Sequence, residues 1–255
     1  LYEPRIYREE MNRDRFRFFP CTYFETDLLI GVPHSEYKDD MKRSALSEVM
    51  RIRSYILEFS TDHPSFITSL EPLDLPDMHK DKEGGLMAPD EIVTMLRCGM
   101  QSGTGPMSSV AGLFAQQVGN KLKEIYGLTE VLVENGGDLY VENRSGLNVV
   151  IHAGSSPISG KMALSLPPGL WGVCTSSGTV GHSLSFGLAD AVTVIAREAP
   201  MSDAWATSLA NRVRNPGDIE SVLEMALGIP EILGCVVIVG DRIGIRGQFE
   251  VKPLS

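Results

Sequence analysis

Cysteine is scarce in this chain of 255 residues: Cys21, Cys98, Cys174 and Cys235 lie far apart and form no close pair. Without the short spacing of a zinc or redox motif they read as reduced thiols of a cytosol-like compartment, and neither disulfide nor zinc is expected. Long apolar runs are also lacking. No segment approaches the roughly 20 apolar residues that cross a bilayer, and no signal-peptide core stands at the visible N-terminus. A cytoplasmic location and no membrane partner are therefore expected. The chain starts at Leu1 rather than at methionine, which leaves room for a short preceding segment. Basic residues are in deficit, 23 Lys and Arg against 33 Asp and Glu, for a formal charge of −10 and a pI near 5.0. Such a surface repels polyanions, so no nucleic-acid partner is expected. The N-terminal arginines Arg5, Arg8, Arg13, Arg15 and Arg17 alternate with Glu9, Glu10 and Asp14 and lead into Phe16, Phe18 and Phe19. That pattern fits a strand with a solvated face better than a nucleic-acid arm.

Three motifs are missing as well. The chain has no Gly-x-x-x-x-Gly-Lys-Ser/Thr, no Gly-x-Gly-x-x-Gly after a strand, and no Gly-x-Ser-x-Gly elbow. The two nucleotide fingerprints and the common serine-hydrolase arrangement are thereby set aside.

With 43% hydrophobic residues the chain can bury a large core, and its length permits one large domain or two modest ones. Strands are expected at Phe16–Tyr23 and Thr26–Val32, followed by an amphipathic helix over 37–59 that carries Leu46, Val49, Met50, Ile56 and Leu57 at helical spacing. Residues 70–89, rich in proline and charge, suit a surface connection, and a second helix is expected from Asp90 to Leu96. Small residues from Gly99 to Ser109 then lead into a helix with Val110, Phe114, Val118, Leu122 and Ile125 on one face. Free backbone amides at such a helix start attract phosphate, while a linker with an ordinary cap explains the pattern equally well.

The second half reads as short strands: Val131–Glu134, Asp138–Val141, Leu147–His152, Leu170–Cys174 and Ala191–Ala196. A helix over 202–213, opened by Ser202 or Asp203, a short helix over Ile219–Leu227, and a hairpin around Gly240-Asp241 complete the chain. Blocks of helices and antiparallel strands give an α+β fold rather than a doubly wound one. No internal repeat is visible.

Four elements could carry chemistry. Asn135-Gly136-Gly137-Asp138 interrupts two apolar runs; it is a good hairpin turn and also a patch of bare backbone ending in a carboxylate. Thr175-Ser176-Ser177-Gly178 follows a strand and could present amides to an anion, or simply turn the chain. His182, between Gly181 and Ser183, is either incidental or a titrating group. Asp203 and Thr207, four residues apart on a helix, offer two hard oxygens to a cation such as Mg²⁺, though an acid at a helix start is commonly a cap.

Taken in order, Gly105-Pro106-Met107-Ser108-Ser109-Val110-Ala111-Gly112, Glu134-Asn135-Gly136-Gly137-Asp138, Thr175-Ser176-Ser177-Gly178 and Asp203-Ala204-Trp205-Ala206-Thr207 resemble the ApbE family of flavin transferases, and more closely its UPF0280 branch. The resemblance implies a single ApbE-like domain over residues 1–255, with antiparallel sheets of T-fold type packed with helices. It implies FAD as ligand, with Asn135, Gly136, Gly137 and Asp138 on the flavin side together with Thr175, Ser176, Ser177 and Gly178, and Mg²⁺ on Asp203 and Thr207. The activity it implies is transfer of FMN from FAD to a Ser or Thr of an acceptor protein, with His182 as the proton-transfer group. One departure stands out: the family's His-x-x-Asp-Pro element is His182-Ser183-Leu184-Ser185-Phe186 here, without Asp or Pro. A flavin- or nucleotide-binding protein without transferase activity is therefore the alternative. The acidic surface and short strands are compatible with a homodimer without requiring one.

Overall fold

The computed structural model describes residues 14–74, 88–178 and 187–254. One antiparallel sheet runs through most of this length. Its strands are β1 (Phe16–Tyr23), β2 (Thr26–Pro33), β3 (Val131–Asn135), β4 (Asp138–Asn143), β7 (Gly169–Ser176), β8 (Ala191–Ala196), β9 (Ile232–Val239) and β10 (Arg242–Gly247), in that spatial order. A smaller antiparallel sheet, β11 (Glu250–Pro253), β6 (Met162–Leu166) and β5 (Leu147–Ile151), covers part of one face. Helices α1 (Met41–Asp62), α2 (Ser65–Thr68), α3 (Asp90–Ser102), α4 (Val110–Tyr126), α5 (Ala199–Ala210) and α6 (Ile219–Leu227) occupy the other. The expected α+β class, antiparallel sheets packed with helices, is what the chain adopts.

Alternation along the strands sorts the core into layers. Leu28, Ile30, Val133 and Tyr140 point to the helices and pack with Val49, Ile52, Leu113 and Val118. Leu132, Val141, Trp171 and Ile195 point the other way, onto Leu147, Leu164 and Leu166 of the small sheet. Val192, Val194, Cys235 and Val237 pack under Leu209, Val222 and Leu223 of α5 and α6. Each half of the large sheet is assembled alike, a hairpin, a helical layer, then a second hairpin, although no sequence repeat announces it.

Several boundaries differ from the sequence reading. Helix α3 continues past Leu96 to Ser102 and ends where Gly103 takes a left-handed φ of 73°, a conformation that glycine adopts without steric penalty. Its Gly99 is tolerated inside the helix because the chain returns against it: a Cβ there would lie 2.8 Å from the Thr104 carbonyl oxygen. Helix α5 starts at Ala199, with Pro200 in its first turn, where proline lacks only an amide that has no partner anyway. Strand β7 extends to Ser176, so Thr175 and Ser176 belong to the strand instead of following it. Strand β6, Met-Ala-Leu-Ser-Leu, carries residues that favour helix; pairing with β5 and β11 overrides that preference. Of the expected surface connection over 70–89, residues 75–87 lie outside the described residues.

Candidate functional site

Asn135–Asp138, Thr175–Gly178 and the Asp203–Thr207 helix meet at one end of the large sheet, on its helix-facing side. Asn135 closes β3 and pairs with Asp138, which opens β4. Gly136 and Gly137 turn between them with φ of 68° and 103°, the positive angles that a two-residue hairpin demands. The Gly137 amide is held by Glu134 Oε1 at 2.8 Å. Since Tyr140 faces the helices, Asp138, two residues earlier, faces them also. Across the sheet, β4 pairs with β7, and the Thr175 amide donates to Asp138 Oδ1 at 3.1 Å. Thr175 contributes only backbone here, because its hydroxyl bonds Thr193 Oγ1 at 2.8 Å.

Helices α4 and α5 close the site from above, and they approach tightly. A Cβ on Gly112 would sit 2.4 Å from the Ala199 carbonyl oxygen, so this position has no room for a side chain. The close crossing places Asp203 at the start of α4. Its Oδ2 accepts the Gly112 amide at 2.9 Å, and the Ala111 amide is directed to the same carboxyl. Asn135 Nδ2 donates to the Ala111 carbonyl oxygen at 3.2 Å. Asp203 thus caps α4, not the helix it belongs to; in α5 it lies in the second turn. The amides expected to be free for phosphate between Gly99 and Ser109 are engaged too: Thr104 bonds Gly99, Gly105 bonds Leu70 and Ser108 bonds Gly105. At Gly178 the amide donates to the Ala189 carbonyl oxygen at 3.0 Å, which leaves it unavailable to an anion.

Asp138 and Asp203 are only 8% and 9% exposed, and among the described residues neither pairs with a lysine or arginine. Burial pushes the Asp203 carboxyl up from 3.8 to about 7 against the pull of the Gly112 and Ala111 amides. Burial, and then the charge of Asp203, raise Asp138 well above its ordinary value, opposed by the Thr175 amide. Two buried carboxyls that disfavour each other's charge in this way hold their protons to higher pH than isolated carboxyls do. Cys174 beside them has its thiol raised well above 9.0 by burial and by both carboxylates, so it stands there as a neutral thiol.

Two hydroxyls complete the set. Ser176, 3% exposed, and Thr207, 7% exposed, bury oxygens that have no hydrogen-bond partner among the described residues. Buried polar atoms are nearly always bonded, so each hydroxyl has capacity for a further partner, as have Asn143 Oδ1 and Trp205 Nε1 elsewhere. No group of three or more His, Cys, Asp or Glu side chains is placed to hold a metal among the described residues. A cation here would draw on carboxylate and hydroxyl oxygens, the donor set that suits Mg²⁺.

Of the remaining expected residues, Ser177 and Gly178 follow β7 at the edge of the site, and His182 lies outside the described residues. The helix start that the sequence marked for phosphate holds the amides of Ala111 and Gly112, and the anion they receive is the Asp203 carboxyl. Asp190, just before β8, is a turn carboxylate that accepts the Gly240 amide at 2.6 Å. A polar groove of about 400 Å³ between α1 and α4, lined by Glu48, Arg51 and Asn120, lies toward the other end of α4. No helix among the described residues is long and apolar enough to cross a membrane.

Comparison with known proteins bears on family and fold. Residues 8–227 match the family model described as AbpE bacteria. A UPF0280 protein of Methanococcus aeolicus is 38% identical over 231 residues, covering 88% of this chain and 87% of its own length. One from Methanothermobacter thermautotrophicus is 38% identical over 229 residues, covering 87% and 84%. Among solved structures, the ApbE protein of Thermotoga maritima aligns over 91% of this chain and 97% of its own with a TM-score of 0.60 at 13% identity. A point mutant of the flavin transferase ApbE from Vibrio cholerae aligns over 91% and 96% with a TM-score of 0.51, also at 13% identity. The chain belongs to the AbpE bacteria family, with UPF0280 proteins as its relatives, and has the fold of the ApbE flavin transferases.

Proposed function

We propose that this protein binds FAD together with Mg²⁺ at the Asp138–Asp203 end of the sheet and transfers FMN to a Ser or Thr hydroxyl of an acceptor protein. One observation carries the reading: two buried carboxyls without a basic partner among the described residues stand beside two buried hydroxyls without any. Asp203 and Thr207 are the proposed cation ligands, and Asp138 supports them from β4. A divalent cation supplies neutralisation of the charge that builds on phosphoryl oxygens. Asn135, Gly136 and Gly137, with Thr175, Ser176, Ser177 and Gly178, form the proposed flavin-side wall. The rigid crossing of α4 over α5 holds the Asp203 carboxyl in place before any ligand arrives.

In the proposed reaction the acceptor hydroxyl oxygen attacks the FMN phosphorus of FAD. The bridging P–O bond breaks, AMP leaves with the electron pair, and the hydroxyl proton passes to a base. His182 is proposed for that base on sequence grounds. Titrating FAD into the purified protein with and without Mg²⁺, followed by assay for AMP in the presence of candidate acceptors, tests the reading. Binding that requires Mg²⁺, with AMP and an FMN-bearing product, is expected; no binding under either condition would end it.

The second reading, a flavin- or nucleotide-binding protein without transferase activity, is favoured by the absence of Asp and Pro after His182. It expects tight, Mg²⁺-dependent FAD binding and no AMP over hours.

A further inference from the structure

The hairpin joining β1 and β2 ends in Phe24, whose backbone φ of 51° is the only positive value at a non-glycine among the described residues. A left-handed conformation costs an ordinary L-residue about 1–2 kcal/mol, and glycine or asparagine removes most of that. Phe24 is also the most exposed of the large hydrophobic side chains described, at 72%. The tip therefore carries two unfavourable features at once, a strained backbone and an aromatic ring in water, where a glycine would avoid both. Strain of this kind persists where a side chain has a use.

Register fixes where the tip stands. Tyr23 pairs with Thr26, Leu28 with Asn135, and Asn135 with Asp138, so the tip projects from the same end of the sheet as the candidate site. At ordinary strand spacing and rise it lies roughly 15 Å from Asp138. The ring is also on the correct face: the Arg53 guanidinium of α1 lies 4.9 Å from its centroid, and Asn135 reaches Ala111 on the same helix-covered side. Arg53 is in turn fixed by an ion pair with Glu25, and Tyr23 meets the ring edge-on at 4.7 Å. These contacts hold the ring in one orientation and leave most of it open.

We infer that Phe24 is a stacking subsite for a flat heteroaromatic ring of the ligand whose phosphates lie at Asp138 and Asp203. The inference rests on the proposed function, which supplies a ligand with such rings; the ribityl chain and the length of the tricyclic flavin together bridge a separation of this size. Arg53, a cation against one side of the phenyl ring, makes a sandwich of guanidinium, phenyl and ligand ring.

The test uses Phe24→Ala and Phe24→Gly, with FAD, FMN and ADP titrated separately in the presence of Mg²⁺. Loss of one aromatic stacking contact weakens binding about tenfold. A loss shared by FAD and FMN assigns the flavin ring; a loss shared by FAD and ADP assigns adenine; either supports the subsite. Stacking perturbs the visible absorption band of a flavin, so the difference spectrum of bound FMN should shrink in both variants if the flavin ring is the one held. Phe24→Gly should melt no lower than Phe24→Ala, because it relieves the strained φ, so weaker binding in the Gly variant is not a folding defect. Unchanged affinity for all three ligands in both variants overturns the subsite alone. A wild type that binds none of the three overturns the proposed function, and the subsite with it.

Discussion

Raising the pH from about 5 to about 7 should destabilise the cation-free protein, and the site predicts by how much. The Asp203 carboxyl titrates at about 7 in the folded chain against an ordinary 3.8. Between those values the folded state keeps a proton that the unfolded state has released, so its contribution is complete at low pH and is lost as pH rises through the folded value. Each pH unit in that interval removes about 1.4 kcal/mol per carboxyl. Because the slope halves at the folded value, the two units remove about 2.3 kcal/mol through Asp203, and Asp138, raised by the same burial and by Asp203 itself, adds to the loss with the same sign. At about 2–4 °C per kcal/mol for a chain of this size, Asp203 alone lowers Tm by about 5–9 °C.

The window is well separated from the other shifted groups. Glu130, where burial is outweighed by the Arg15 guanidinium and the Arg144 amide, lies below 4.5, so its contribution is lost only on acidification beneath that value. The buried thiols of Cys98, Cys174 and Cys235 lie above 9.0 and respond only in base. The assay is thermal unfolding followed by circular dichroism in a chelating buffer, at pH steps from about 5 to about 8, for the wild type and Asp203→Asn. The variant should show a shallower slope and exceed the wild type at about pH 8, since removing one charge also lets Asp138 ionise more easily. Mg²⁺ should restore the wild type at high pH and leave Asp203→Asn nearly unmoved. A wild-type Tm that stays level or rises from about pH 5 to 7 without cation would refute the paired-carboxyl account.

Thr207→Val keeps the shape and removes a buried oxygen with no described partner; cation-free stability should hold or rise by about 1 kcal/mol, while the Tm gain on adding Mg²⁺ shrinks. If the variant instead melts several degrees lower without cation, the hydroxyl has a structural partner. Gly112→Ala puts a Cβ 2.4 Å from the Ala199 carbonyl oxygen, which should destabilise by about 1–3 kcal/mol and, by parting α4 from α5, weaken Mg²⁺-dependent FAD binding; equal melting and binding would show that the crossing yields without consequence. Tyr140→Phe deletes a 2.6 Å bond from the Tyr140 hydroxyl to Asn120 Oδ1 far along α4 from the site, so chemical denaturation should register a loss of about 1 kcal/mol with FAD affinity unchanged.

Much of the scaffold was legible because local signals agreed with the tertiary outcome. Phe16–Tyr23, Ala191–Ala196, Ile219–Leu227 and the Gly240-Asp241 hairpin appear where β-rich runs, helical spacing and turn glycines put them. Reading failed where a distant partner decides. Met162–Leu166 is a strand only because β5 and β11 flank it, and the beginning of α5 is set by a proline and by the fit of Ala199 against Gly112. The same limit applied at the site. Asp203 and Thr207 could be placed on one helix face from their spacing, but which amides Asp203 would bind depended on the angle at which α4 crosses α5, and no periodicity within either helix contains that angle. The stretch Gly99–Ser109 looked like open backbone for the converse reason: glycines and hydroxyls advertise free amides, and the fold returns those amides to Leu70, Gly99 and Gly105.

The cap on α4 decides what kind of ligand the site can accept. A helix start draws an anion through its free amides, and here the anion already present is Asp203, so the amides of Ala111 and Gly112 are committed to a protein carboxylate. Asp138 receives the Thr175 amide, and no lysine or arginine of the described residues pairs with either acid. A pyrophosphate arriving alone would meet two buried carboxyls at the point where a phosphate loop would offer amides, and like charges in a poorly solvated site repel strongly. A proton on the pair relieves that repulsion in part, whereas a divalent cation at the proposed ligands would reverse it and engage the unbonded oxygen of Thr207. The capping of α4 is thus the physical ground for expecting, under the proposed function, that a phosphate ligand binds here with its own cation.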